Sequence, residues 1–258
     1  MKIATWNVNS LKVRLPHVLE WVAREAPDIL GLQETKLSDE NFPKAEIEAA
    51  GYHVCYAGQK TYNGMAILSR TAPADIATDL PGLDDPQRRV LGASYGALRV
   101  LNLYVPNGQS LVSDKYRYKL DWLDKLTAYL RDQLAQHPQL VVLGDFNIAP
   151  EDRDVHDPLA WQDSVLCSAP ERAAFQGLLA TTLCDSFRLF EQADNNFSWW
   201  DYRMNAFRRN RGLRIDHILV SPALRKRCRS CRIDSTPRKL ERPSDHTPVV
   251  AEFDLELK

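Results

Sequence analysis

The chain lacks any apolar run approaching the roughly 18 residues that a membrane-spanning helix requires, so no span is expected. It opens at once into a strand-like pattern, Met1-Lys-Ile-Ala-Thr-Trp-Asn7, with no charged-then-apolar leader, and the expectation is a soluble, unsecreted, cytoplasmic protein. No linker rich in Pro, Ser and Gly and no low-complexity tract divides the 258 residues. One domain over residues 1–258 with a sizeable core is therefore favoured. Cysteine is scarce: the five, at positions 55, 167, 184, 228 and 231, are odd in number and irregularly spaced. That excludes a disulfide framework and points to reduced thiols in the cytosol. Cys228 and Cys231 have the spacing of half a zinc site, but no second pair and no nearby histidine completes it.

Net charge is also nearly absent, at −1, but it is unevenly spread. Residues 203–242 hold thirteen Lys/Arg against three Asp/Glu, a local balance of +10 that leaves about −11 for the remainder. Such asymmetry suits one basic face for a polyanion.

Among what is present, the stretch from Leu140 to Pro150 organises the reading. Four apolar residues run into Gly144, Asp145, Phe146 and Asn147, the pattern of a buried strand that ends on a carboxylate and a carboxamide. Residues two apart on an extended chain point the same way, which would bring Asp145 and Asn147 into one site. The pattern recurs. Strands are expected over 2–9, 27–34, 62–69, 140–145, 213–220 and at the C-terminal end of the chain after residue 244. A hairpin is expected over 89–104 and an aromatic strand over 197–202. Apolar stripes at helical spacing predict helices over 13–25, 115–136 and 171–183. Strand-rich runs interspersed with a few long helices indicate an α/β protein with two sheets packed face to face and helices outside them.

The ends of these strands carry Asn7 and Asn9, Glu34, Tyr104 and Asn107, Asp145 and Asn147, Asp216, Asp245 and His246. Oxygen ligands with one histidine nearby suit a hard cation, Mg²⁺ or Mn²⁺ as its substitute, better than zinc. The chemistry this implies is metal-assisted phosphoester hydrolysis.

Six motifs in order, from Trp6-Asn-Val-Asn9 through Leu32-Gln-Glu34, Leu103-Tyr-Val-Pro-Asn107, Gly144-Asp-Phe-Asn147 and Gly212-Leu-Arg-Ile-Asp216 to Ser244-Asp-His246, resemble the exonuclease III branch of the AP endonucleases. That branch lies within the endonuclease/exonuclease/phosphatase superfamily, and the likeness covers nearly the whole chain. It implies a four-layered α/β sandwich with two mostly antiparallel sheets. It also implies a Mg²⁺-dependent nuclease of duplex DNA that acts at 3′ ends, at 3′-blocking groups or at abasic sites, as a monomer.

By this resemblance Glu34 is the main metal ligand, with Asn7 and Asn9 in the same shell and Asp245 as a weaker ligand. Asp145 orients or deprotonates the attacking water, assisted by Asn147. Asp216 fixes the tautomer of His246, and His246, Tyr104 and Asn147 contact the scissile phosphate. Asn107 is placed with the DNA-contacting residues.

The superfamily also contains phosphatases of inositol phosphates and phospholipids, so the metal site alone does not select a substrate. Trp199, Leu213 and Ile215 match an apolar pocket for a flipped abasic sugar. Arg203, Arg208, Arg209, Arg211 and Arg214 flank it with charge for phosphates. Tyr202 and Phe207 are suited to stacking on bases or wedging into the duplex. Residues 155–168 resemble those of a neisserial member of the branch that processes 3′ ends and incises abasic sites poorly. Leu166 and Cys167 lie about where a pocket obstruction is expected.

Overall fold

The computed structural model describes residues 1–256. In chain order the elements are β1 (Lys2–Asn7), α1 (Leu11–Glu25), β2 (Ile29–Gln33), α2 (Lys44–Ala49), β3 (His53–Ala57), β4 (Met65–Ser69), β5 (Ala74–Ala77) and β6 (Val90–Tyr95). There follow β7 (Leu98–Tyr104), α3 (Asp114–Gln136), β8 (Gln139–Asp145), α4 (Ala169–Leu179), β9 (Cys184–Asp185), β10 (Asp216–Val220), α5 (Pro222–Arg225), β11 (Cys228–Ile233) and β12 (Val249–Phe253).

The strands form two six-stranded sheets, ordered β11-β12-β1-β2-β4-β3 and β5-β6-β7-β8-β10-β9. Every pairing is antiparallel except β1 with β2 in the first sheet and β7 with β8 in the second. Side-chain alternation builds the layers. Ile3, Ile29 and Ile67 face Val141, Leu143 and Ile218 in the core between the sheets. Their neighbours Ala4, Leu30 and Leu68 face outward onto Val18, Trp21 and Val22 of α1. Leu140 and Val142 likewise face Trp122, Leu126 and Leu130 of α3 and Phe175 of α4. The result is the expected four-layered α/β sandwich.

The structure departs from the expected pattern in several places: β4 begins at Met65 in place of residue 62, β10 at Asp216 in place of 213, α4 ends at Leu179 in place of 183, and β5, β9 and α5 fall where no element is expected. Residues 197–202 form isolated bridges, Trp199 with Leu213 and with His246, in place of an aromatic strand. β3 and α2 fall in the stretch that shows no clear periodicity, and β11 carries only short apolar side chains between its arginines. The fold also divides the basic segment. β10 runs from Asp216, opposite Asp145, to Val220, opposite Val141. This carries the exposed Arg225, Lys226, Arg227 and Arg229 to the other pole of the sandwich, about 15 Å away at the rise of a strand.

Candidate active site

Each sheet holds one parallel pair, and parallel strands end at the same side. The carboxyl ends of β1, β2, β7 and β8 therefore open onto one pole, with the start of β10 beside them. Gly144, at φ 146°, is what lets β8 deliver Asp145 there, since a Cβ at this position would lie 1.9 Å from the Leu103 carbonyl oxygen. Asp145 and Asn147 do share the site, but through a turn and not by extended alternation. Asn147 adopts φ 50°, its backbone N–H donates to Asp145 Oδ1 at 2.9 Å, and its Nδ2 donates to Asp145 Oδ2 at 3.3 Å.

Asn7 bridges the two sheets. Its Nδ2 donates to Glu34 Oε1 at 2.8 Å and to Asp145 Oδ2 at 2.9 Å, while its Oδ1 accepts the Asn9 N–H at 2.9 Å. Asn7 thus holds two carboxylates side by side. Ligand atoms of Glu34 and Asp145 lie within 4.8 Å of one another and of His246 Nε2, so the two carboxylates can hold a metal ion while the protonated imidazole faces a group bound beside it. Tyr104 pairs with Asp145 in the β7–β8 register, and the Arg89 guanidinium lies 4.7 Å from its ring centre. Burial, with Glu34 and Asp145 adding to it, raises the Tyr104 hydroxyl well above its usual range and keeps it a proton donor.

His246 Nδ1 lies 2.9 Å from Asp216 Oδ2, and Nε2 lies 3.7 Å from Asp145 Oδ2. Burial alone would lower the imidazole, but the carboxylates of Asp216 and Asp145 outweigh it and raise its pKa to about 10. Burial likewise drives Asp145 up to about 7, only partly offset by His246.

Asn9 and Asp245 make a second constellation at the rim. Asn9 Nδ2 donates to Asp245 Oδ1 at 2.9 Å, and Trp199 Nε1 donates to Asp245 Oδ2 at 3.0 Å. Lys36, which the sequence motifs do not single out, joins this rim to the metal cluster by donating to Asn9 Oδ1 and pairing with Glu34 Oε2 at 2.9 Å. It lies two residues beyond Glu34 and has no periodic or motif signal of its own.

Trp199, Leu213 and Ile215 come together, and other apolar side chains pack against them. Leu213 and Ile215 are buried among Val155, Leu166 and Cys167, and Trp161 packs edge-on against Trp199 at 6.3 Å. Leu166 sits at φ 76°, held by its N–H to Glu171 and by its carbonyl, which accepts from Ala149. Of the flanking arginines, Arg203, Arg208, Arg209 and Arg211 are exposed. Arg214 is not available to a phosphate: it is buried and bonded to Asp154 at 2.6 Å and Asp185 at 2.7 Å. Tyr202 and Phe207 stand near this rim, with Arg238 4.9 Å from the Phe207 ring centre.

Carboxylates, carboxamides and an imidazole gathered at the carboxyl ends of two stacked sheets define a metal-dependent hydrolase of phosphate esters. The chain belongs to the endonuclease/exonuclease/phosphatase family, whose pattern matches residues 4–246. It is 40% identical to exodeoxyribonuclease III of Haemophilus influenzae over 98% of this chain and 100% of that protein. Among solved structures it resembles a Neisseria 3′ phosphatase, NExo, bound to a product DNA hairpin, with 51% identity, a TM-score of 0.97, and coverage of 99% of this chain and 100% of that one. An AP endonuclease from Archaeoglobus fulgidus is similar at 39% identity and a TM-score of 0.96, covering 99% of this chain and 100% of that one.

Proposed function

We propose that this protein is a Mg²⁺-dependent DNA repair nuclease that hydrolyses phosphoesters at the 3′ ends of duplex DNA, with Mn²⁺ able to replace Mg²⁺. The observation that carries the reading is the cluster of Glu34, Asp145 and His246 in a chain 51% identical to a 3′ phosphatase that binds a DNA hairpin product. The donor set suits a hard cation: the Glu34 carboxylate is partly open to solvent and no thiol stands among the ligands. Such an ion, when bound, supplies charge neutralisation at the phosphate.

The chain's own groups do the rest. Asp145, with a pKa near neutrality, is suited to take a proton from an attacking water at physiological pH. Asn147 and Asn7 hold its two oxygens in place. His246 is bound through Nδ1 to Asp216, which leaves Nε2–H to donate to a phosphate oxygen. Tyr104 adds a second donor, and Asn107 steadies Asn147 by donating to its Oδ1 at 3.1 Å.

Substrate choice rests on Leu166. An internal abasic sugar must be extruded into a pocket, and Leu166 and Cys167 pack against the Leu213 and Ile215 that would line it. A frayed 3′ end makes no such demand. A general AP endonuclease is the second reading, supported by the likeness to the Archaeoglobus enzyme. A reducing, cytoplasmic compartment agrees with five unpaired cysteines, four of them buried.

The test compares the wild type with Glu34→Ala and Asp145→Ala on a recessed 3′-hydroxyl, a nick bearing a 3′-phosphate, and an internal abasic analogue, with Mg²⁺ and with EDTA. Each variant should lose about three orders of magnitude or more on all three substrates. Full, EDTA-sensitive activity in either variant sinks the proposal. Equal wild-type rates on the abasic and 3′-phosphate duplexes would favour the second reading.

A further inference from the structure

Beneath the site lies an ion pair that none of these roles uses. Lys119 of α3 and Glu171 of α4 both have side chains with no solvent exposure. The Lys119 ammonium has three protons and spends them on three chain segments: the Asn147 carbonyl at 2.7 Å, the Asn107 carbonyl at 3.2 Å, and the Glu171 carboxylate. Glu171 in turn accepts the Leu166 N–H at 3.0 Å, the Ser168 N–H at 3.1 Å and the Ser168 hydroxyl. Tyr116 OH meets that hydroxyl at 2.6 Å. One buried pair therefore ties together the loop after β7, the loop after β8 and the segment that carries Leu166.

Stability is a poor reason for such a pair, because two well-packed apolar side chains often do as well or better once desolvation is counted. An apolar pair could not, however, hold two backbone carbonyls. Drawing the Asn147 and Asn107 carbonyls inward leaves both carboxamides on the other side of their loops. There the Asn107 carboxamide bonds to Asn147 Oδ1, while Asn147 Nδ2 reaches Asp145 and the Val105 carbonyl at 3.0 Å. Asn147 also has to be kept at φ 50°, a conformation that the bond from Lys119 to its carbonyl helps hold.

We propose that Lys119, anchored by Glu171, is a positioning residue that sets the Asn147 and Asn107 carboxamides for the reaction. This rests on the role assigned to Asn147 above. The same anchor fixes the backbone of Leu166, so phosphate contacts and pocket closure share one support.

The experiment is a double-mutant cycle in single-turnover kinetics on a nick bearing a 3′-phosphate, with DNA affinity and thermal midpoint measured alongside. Lys119→Met/Glu171→Gln leaves no unpaired buried charge and should slow turnover about 10- to 100-fold while changing DNA affinity less than about threefold. In an Asn147→Ala background the added cost of the paired substitution should shrink to under about threefold. Glu171→Asp, which keeps the charge and shortens the arm, is the milder variant should the double substitution fail to fold, and its smaller loss must vanish in the same background. The same loss in both backgrounds, or none in either, overturns the positioning role. Asn147→Ala separates the two readings: if it is fully active, the role given to Asn147 falls as well, whereas a slow Asn147→Ala with unaltered Lys119 effects removes the positioning inference alone.

Discussion

Asp145 and Asp216 stand directly opposite one another in the antiparallel pairing of β8 and β10, and neither side chain has any solvent exposure. Two carboxylates so placed repel each other across the sheet, and like charges at directly opposed positions are destabilising. The His246 imidazole lies against both, 2.9 Å from Asp216 and 3.7 Å from Asp145, and its protonated form offsets the repulsion. The proton on His246 is therefore part of the site's construction.

Asp216→Asn removes the largest of the charges that raise His246. The imidazole pKa should fall from about 10, and histidine ring NMR as a function of pH would follow it. Turnover should drop about 100-fold, while the thermal midpoint changes little because a buried repulsion is removed along with an ion pair. An unchanged imidazole pKa would show that Asp216 does not control the proton.

Leu166→Gly should raise abasic-site incision at least about tenfold, equivalent to about 1.4 kcal/mol of relieved transition-state clash, and leave 3′-phosphate removal nearly constant. Loss of a buried side chain should cost about 2–4 kcal/mol of stability, partly offset by relief of the left-handed φ of 76°. Cys167→Gly should open the pocket less, since its thiol side chain is smaller than that of leucine. Parallel gains on both substrates would show that the side chain does not discriminate between them.

His217 is buried, its Nδ1 facing Arg214 at 3.0 Å and its Nε2 donating to the Ile148 carbonyl at 2.9 Å. Burial, reinforced by Arg214, lowers its pKa to about 3. Below about pH 6.5 the unfolded chain binds a proton that the native state refuses, so stability falls as pH falls through that window. At pH 5.5 the loss from this one group is on the order of 1 kcal/mol. His246, whose pKa is raised, acts in the opposite sense above pH 6.5. Comparing urea midpoints of wild type and His217→Gln at pH 7.5 and 5.5 isolates the contribution. A variant as acid-sensitive as the wild type would exclude it.

The division of the basic segment predicts two classes of arginine. Arg208→Ala, Arg209→Ala and Arg211→Ala should each reduce the slope of log affinity for duplex DNA against log salt by up to about 0.9. Arg225→Ala and Arg227→Ala, at the other pole, should leave it unchanged. If all five behave alike, DNA contacts both poles.

Elements with a strong local pattern are legible in the order of the residues. The apolar run into Asp145, the stripe of α3 and the hairpin β6–β7 each show a period that has one geometric solution. The ordered motifs assign Glu34, Asp145, Asp216 and His246 to a single site, and the fold brings them together. β3, α2 and β11 carry no comparable signal because they are short, half-exposed or interrupted by charge, so side-chain burial does not impose a period on them. Lys36, Lys119 and His217 are hidden in the sequence for another reason. A lysine on a charged helix reads as solvated, and the burial of Lys119 against Glu171 comes from the packing of α3 on α4. Convergence is a property of topology: two parallel pairs in two stacked sheets send four strand ends to one pole, while β10 carries part of the basic segment to the other. Residue type and spacing thus settled which chemistry the chain can hold. Register and layer packing settled which groups meet, which are neutralised by neighbours, and whether the apolar pocket is open, because distances between residues far apart in sequence are set by the tertiary contacts alone.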